Sequence, residues 1–114
     1  MAKREISLTP EAQEAILILG QQIRRGRHRK GWSAASLASR VGVSPRTITS
    51  IEAGSAGTSI GTVLNAAVVV GFPLFGADRY ELIALRRRGE EVLALLPGRV
   101  FENDEDDDDV VPDF

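Results

Sequence analysis

Apolar residues recur along this chain every three to four positions, the spacing that places them on one face of an α-helix. Threonine and serine residues stand where side-chain hydroxyls cap helix N-termini, proline follows two of them, and glycines stand where helices end. Together these signals predict an all-α chain with five helices, at about residues 10–27, 34–41, 45–53, 59–70 and 79–95.

The segment between the fourth and fifth predicted helices is apolar, but glycine and proline interrupt it (residues 71–76, GFPLFG). Proline is tolerated at the edge of a sheet and not in its centre. The segment therefore fits either a short edge strand near residues 72–75 or an extended connector. Residues 55–77 carry no formal charge, yet they include serine, threonine, asparagine, proline and several glycines. We interpret them as a buried helix with flanking loops and not as a membrane span.

The second and third predicted helices meet at a tight turn, which has its own requirements. The first of them needs a small residue where the backbones approach, the turn needs a residue that tolerates positive φ, and apolar residues must face each other. Ala38 and Gly42 meet the first two requirements. The packing positions are occupied by Leu37, Val41, Val43, Ile48 and Ile51. The sequence therefore predicts a helix-turn-helix at about residues 33–54.

The net charge of −2 conceals three differently charged parts of the chain. Residues 1–54 carry a net charge of +5, residues 55–101 carry +1, and residues 102–114 carry −8. Six basic or histidine side chains cluster near the end of the first helix, at Arg24, Arg25, Arg27, His28, Arg29 and Lys30. This cluster exceeds what the helix dipole favours. It suits contact with phosphates or steering of an anionic partner, and a solvated helix end is the alternative.

The composition excludes several kinds of site. The chain has no cysteine and a single histidine, His28, so it offers neither a disulfide nor a thiolate or multi-histidine metal site. No glycine-rich phosphate loop and no carboxylate pair in an apolar context are present. We therefore expect no metal, no cofactor and no enzymatic activity. The first residues are polar and unlike a signal peptide, and we expect a soluble cytoplasmic protein.

Two runs of the chain, residues 31–34 (GWSA) and residues 48–54 (ITSIEAG), resemble the Xre/lambda-repressor-like family, with the likeness extending over about residues 12–71. The resemblance implies a five-helix lambda-repressor-like helix-turn-helix domain. The residues beyond it add a C-terminal helix and an acidic tail to the predicted fold. The flanking segments resemble a narrower group, the HipB-like antitoxins encoded beside HipA-type kinase toxins. These segments are residues 4–10 (REISLTP), 71–76 (GFPLFG) and 95–100 (LLPGRV), together with an acidic tail that ends in Asp113 and Phe114.

The family geometry implies that the third helix lies in the major groove of DNA. The base-reading residues would then be Arg46, Thr47, Thr49 and Ser50, with Arg46 suited to a bidentate contact to guanine. Phosphate contacts are expected from the helix starts and the basic cluster, at Ser33, Ser44, Arg25, Arg27, Arg29 and Lys30. The chain departs from the family at Ala34, where many members have a glutamine that touches DNA.

The acidic C-terminal residues suggest a further partner. Residues 102–109 are too charged to pack and are expected to be disordered when free, and an apolar tip with Val110, Val111 and Phe114 follows them. This pattern suits a short motif that orders on binding a partner. An inert solubility tail, and a DNA mimic that folds back on the basic residues, are the alternatives.

The predicted organisation is a DNA-binding domain at residues 1–71, a dimerisation or partner-binding extension at 72–101, and the tail at 102–114. The leading hypothesis is a homodimeric repressor of a palindromic operator, the antitoxin of a pair with a HipA-like kinase toxin. A free-standing phage-type regulator is the second hypothesis. The third is a protein-interaction module that has lost DNA binding, which the alanine at position 34 and the −8 tail would favour.

Overall fold

Five α-helices and one turn of 3-10 helix follow one another along residues 7–102, the part of the chain that the computed structural model describes. The α-helices are α1 (Pro10–Arg29), α2 (Ala34–Val41), α3 (Pro45–Glu52), α4 (Ile60–Val69) and α5 (Arg79–Ala94), and the 3-10 turn spans Leu74–Gly76. These residues contain no strand, so the predicted all-α fold is confirmed. Every predicted helix lies within two residues of its observed bounds.

Helix boundaries follow the capping residues that the sequence shows. The first three helices begin with a hydroxyl that accepts a backbone N–H bond, at 3.1 Å for Thr9, 3.0 Å for Ser33 and 3.2 Å for Ser44. For α4 the sequence predicts a cap at Ser59 or Thr58. Ser59 is the N-cap residue, but its side chain makes no capping bond. The Thr58 hydroxyl instead donates to the carbonyl of Ser55 at 2.8 Å.

The core lies between α1, α2, α3 and α4, and α2 packs most closely on α3. Its buried side chains are Ile23, Leu37, Ala38, Ile48, Ile51, Ala66, Ala67 and Val70. The turn between α2 and α3 is made by Gly42, whose φ of +84° is the left-handed region that glycine favours. Its N–H donates to the carbonyl of Ala38 at 2.8 Å. Ala38 and Gly42 therefore have the roles that the helix-turn-helix pattern predicts.

The segment at residues 72–75 is not an edge strand. Phe75 and Gly76 have φ of +55° and +64°, which turns the chain back on itself. The N–H of Gly76 donates to the carbonyl of Pro73 at 3.2 Å, and that of Ala77 donates to Leu74 at 3.0 Å. Local turn bonds thus satisfy the backbone groups that a strand would offer to a neighbouring strand.

Contacts divide the chain into two units, residues 1–78 and 79–114. The second unit contains α5, and none of the side chains of α5 is buried. Among residues 7–102, no helix is both long and apolar enough to span a membrane. The tail residues Val110, Val111 and Phe114 lie outside the described residues, as do residues 1–6.

Gly20 sits in the middle of α1 where that helix touches the end of α3. A Cβ atom at this position would lie 2.6 Å from the carbonyl oxygen of Ile51 and 2.8 Å from that of Glu52. Both neighbours are backbone atoms, which cannot rotate away as a side chain can. The close approach of α1 to α3 therefore requires glycine here, although glycine weakens a helix interior by about 1 kcal/mol relative to alanine.

We predict that Gly20→Ala lowers the free energy of unfolding by about 1 to 3 kcal/mol, the usual effect of overpacking. Urea denaturation followed by the fluorescence of Trp32 measures the change. Gly61→Ala is the matched control, because the added Cβ would have Ser59 Oγ as its nearest neighbour at 3.8 Å. The control should leave stability unchanged or raise it, and equal effects of the two substitutions would contradict the close contact at Gly20.

Candidate nucleic-acid interface

Helix α3 has one apolar face and one polar face. Ile48 and Ile51 are buried in the core. The four residues predicted to read bases lie on the remaining surface of the helix, with Arg46 and Thr49 exposed and Thr47 and Ser50 half-buried. Pro45 occupies the first helical position after the Ser44 cap, which fixes the start of the helix and places Arg46 in its first turn.

A polar groove runs along the exposed side of α3 and the loop that follows it. Three of the predicted base-reading residues line this groove together with Ser44, and the loop contributes Ser55, Gly57 and Thr58. Thr49 is the predicted base reader that does not line it. The sequence interpretation missed the three loop residues. The run of serine, glycine and threonine after α3 was the available signal, because such residues expose backbone and hydroxyl groups.

Hydrogen bonds made by the polar side chains of α3 and its cap leave some of these groups more available to a ligand than others. The hydroxyls of Ser44 and Thr47 share a bond of 3.0 Å, and the hydroxyl of Thr49 donates to the carbonyl of Pro45 at 3.1 Å. A hydroxyl has one proton and two lone pairs, so each of these groups keeps some capacity for a ligand. Within residues 7–102, the Arg46 side chain forms no hydrogen bond or ion pair, so its five N–H donors are available.

Arg27 and Glu52 join the end of α1 to the end of α3. Arg27 donates from Nε to Oε2 of Glu52 at 2.7 Å and from Nη2 to Oε1 at 2.9 Å. Its Nη1 donates to the carbonyl of Trp32 at 2.9 Å, which ties in the turn before α2. The bond to Glu52 raises the pKa of Arg27 above its ordinary value, against the opposing effect of partial burial.

The predicted phosphate contacts separate into distinct places. Arg27 has its guanidinium in the pair with Glu52, with only 12% of its side chain exposed. Arg25 and Arg29 line a shallow groove on α1, together with Gln21, Arg24 and His28. This groove shares no lining residue with the groove on α3. The hydroxyls of Ser33 and Ser44 accept capping bonds from the first turns of α2 and α3. The remaining unpaired backbone N–H groups of these first turns are available to an anionic ligand.

Trp32 packs partly against the core, and cationic groups cover its ring. The guanidinium carbon of Arg40 lies 4.1 Å from the ring centroid, and Lys30 Nζ lies 5.8 Å from it. These distances are within the range of cation–π attraction. One predicted phosphate ligand, Lys30, is therefore drawn towards the junction between α1 and α2.

A short helix, a glycine turn and a second helix with an exposed polar face define a DNA-binding module of the helix-turn-helix class. The model of the helix-turn-helix domain family matches residues 18–82, which is more than half of the chain, so the chain belongs to that family. Its members are DNA-binding regulators that are typically not enzymes. The Xre-like part of the sequence resemblance is thereby confirmed. Neither the curated proteins nor the solved structures include a match to this chain.

We predict that Glu52→Ala lowers the free energy of unfolding by about 2 to 4 kcal/mol, because it leaves a partly buried guanidinium without its partner. Thermal or urea unfolding measures the loss. The exposed carboxylate of Glu14 provides the control, and Glu14→Ala should change stability by less than about 0.5 kcal/mol. The double variant Arg27→Leu/Glu52→Leu should lose less free energy of unfolding than Arg27→Leu and Glu52→Leu lose together as single variants. Additive losses would show that the two side chains do not act as a pair.

Proposed function

We propose that this protein is a sequence-specific transcriptional repressor that binds a palindromic operator as a homodimer. The observation that carries the proposal is the polar groove on α3, in which the side chain of Arg46 is exposed and unengaged. An α-helix fits the major groove of B-DNA, and an arginine fork matches the O6 and N7 acceptors of guanine. Arg46 is accordingly the principal base reader in this proposal.

The other polar groups on α3 and at the helix starts have supporting roles in this proposal. Thr47, Thr49 and Ser50 offer hydroxyls to bases, and the threonines also offer methyl groups to thymine. Backbone N–H groups at the helix starts after Ser33 and Ser44 bind phosphates. Position 34 is alanine and cannot add a hydrogen bond, so a single half-site offers few specific contacts.

Phosphate contacts from α1 are a separate part of the proposal. Arg25 and Arg29 are exposed and can add electrostatic attraction that does not depend on base sequence. Lys30 is exposed and lies near the start of α2. Arg27 is not among the proposed phosphate contacts, because each of its terminal nitrogens and its Nε already donates a hydrogen bond.

Two-fold symmetry sets the expected form of the operator. A dimer presents two α3 helices to two half-sites, and these lie about 34 Å apart when they are one helical turn of DNA apart. The operator should therefore be a palindrome with this spacing. The half-sites should contain a guanine that Arg46 recognises.

We predict that Arg46→Ala weakens binding to the DNA upstream of its own gene by about 5- to 150-fold per half-site, the equivalent of a lost bidentate base contact of about 1 to 3 kcal/mol. Fluorescence anisotropy or gel retardation measures the affinity. Arg46→Lys is the matched control: it keeps the charge and so the non-specific binding, but it loses the fork that recognises guanine. If no upstream fragment is retarded at low salt, the chain is an interaction module that has lost DNA binding.

We further propose that the protein is the antitoxin of a HipBA-like type II toxin–antitoxin pair and neutralises a kinase toxin. Support comes from the sequence of the flanking segments and from the acidic end of the chain, with its apolar residues Val110, Val111 and Phe114. Such an end has the composition of a short segment that orders on a partner. A free-standing regulator would share the DNA-binding part of the proposal and lack the toxin.

Co-expression with the neighbouring gene tests the antitoxin part. The full chain should co-purify with a kinase-sized partner, and a chain shortened at Glu102 should lose that partner while it still binds DNA. The shortened chain is a suitable control, because the described helices all end before Glu102. Purification of the full chain without a partner would contradict the antitoxin role and leave the DNA-binding proposal standing.

A further inference from the structure

Helix α5 has an apolar stripe that is largely exposed. None of the residues of α5 is buried, although Leu82 is half-buried, and Leu85 and Leu93 are 50% and 65% exposed. Leu96, just after the helix, is 51% exposed. A turn after α5 contains Leu96, whose N–H donates to the carbonyl of Leu93 at 3.0 Å. An amphipathic helix gains most of its stability by covering such a face.

The stripe has the same spacing in both directions along the helix. Its positions are separated by three, four, four and three residues, and they are Leu82, Leu85, Gly89, Leu93 and Leu96. At 3.6 residues per turn, Leu82, Leu85 and Leu93 lie within about 40° of the direction of Gly89. Leu96 lies two residues beyond the end of α5 and continues the spacing in the sequence. This stripe forms a seam along the helix, and the residues of the seam on either side of Gly89 are leucines in mirrored positions.

We propose that this seam pairs with the same seam of a second copy of the chain, antiparallel, with the two-fold axis at Gly89. In a two-fold interface, when residue i contacts residue j of the other copy, residue j also contacts residue i. Leu82 then packs against Leu96 of the second copy, and Leu85 packs against Leu93 of the second copy. The mirrored spacing of the leucines is what this symmetry requires. The inference specifies the dimer contact of the proposed function.

The proposed pairing explains why position 89 is glycine, whereas the structure of a single chain does not. A Cβ atom added to Gly89 would meet nothing within 4 Å, so no contact in the described structure calls for glycine. Glycine also weakens a helix interior relative to alanine. At the crossing point of two helices, its lack of a side chain lets the backbones approach closely and brings the flanking leucines into contact.

Charges around Gly89 favour the antiparallel orientation. The three arginines at residues 86–88 precede it, and Glu90 and Glu91 follow it. An antiparallel pair places the arginine block of one helix beside the glutamates of the other, whereas a parallel pair places the two arginine blocks together. Arg86 and Glu90 form an ion pair along one edge of the seam. Across the two-fold axis, Arg86 lies only about 3 Å along the helix axis from Glu90 of the second copy.

Sedimentation equilibrium of the full chain without DNA tests the pairing. The chain should be a reversible dimer, and Leu85→Glu should raise its dissociation constant by at least about 100-fold, because two seam leucines are lost per dimer. Ala84→Glu adds the same charge at the neighbouring exposed position outside the seam and should leave the constant nearly unchanged. A monomer at about 100 µM, or equal constants for both variants, would overturn the pairing.

Thiol cross-linking tests the orientation, and the absence of cysteine from the chain makes every added thiol unique. Leu85→Cys and Leu93→Cys are examined at concentrations where the reduced variants are dimeric. A short cross-linker should join a mixture of the two variants and leave each variant alone largely unlinked. Linkage of each variant to itself, without linkage in the mixture, would overturn the antiparallel arrangement.

The outcomes separate this inference from the proposed function. Arg46→Ala should weaken DNA binding and leave the dissociation constant of the dimer unchanged. Leu85→Glu should keep the fluorescence of Trp32, because α5 has no buried residue and Trp32 lies in the first unit. A chain that dimerises through the seam without retarding DNA would overturn the repressor proposal alone. A chain that binds DNA while Leu85→Glu remains dimeric would overturn the seam alone.

Discussion

The pair between Arg27 and Glu52 fixes the position of α3. Arg27 holds the carboxylate through two hydrogen bonds and the Trp32 carbonyl through a third, so one guanidinium connects the ends of α1 and α3 with the turn before α2. Gly20 brings the same two helices together at backbone distance. Because α3 is only eight residues long, its direction depends on these contacts and on the buried Ile48 and Ile51. The same contacts therefore set the position of the polar groove.

The boundaries of the helices were predictable because they depend on local chemistry. A hydroxyl before the helix, proline in its first turn and glycine after it act over four or five residues, so the sequence displays them directly. The 3-10 turn was missed for the opposite reason. Phe75 has positive φ, and the sequence does not reveal this conformation because phenylalanine rarely adopts it. Gly20 and Gly26 were also missed as contact points. Their neighbours, at Ile51 and Val70, are distant in sequence, and helical periodicity carries no information about such contacts.

The candidate site was predictable on α3 and less so elsewhere. Once Ile48 and Ile51 are assigned to the core, the period of the helix places Arg46 and Ser50 on the other side. The basic cluster was harder to interpret, because a count of charges does not reveal which of them is paired. The structure gives Arg27 a carboxylate partner and brings Lys30 and Arg40 to the ring of Trp32. The cluster that looks uniform in the sequence therefore has structural members and exposed members.

The proposed DNA contacts of one copy are few, so the specificity of binding depends on the symmetry of the proposed dimer. In the proposed function, with alanine at position 34 and serine at position 50, one copy offers a single long side chain, Arg46, to the bases. One such contact discriminates by about 1 to 3 kcal/mol, far less than the roughly 4 to 10 kcal/mol that separates specific from non-specific binding. Two linked copies add their contacts, because the second α3 then meets its half-site at a high effective concentration. In this proposal, self-association through α5 is a requirement for specificity, since the chemistry of one recognition helix is insufficient for it.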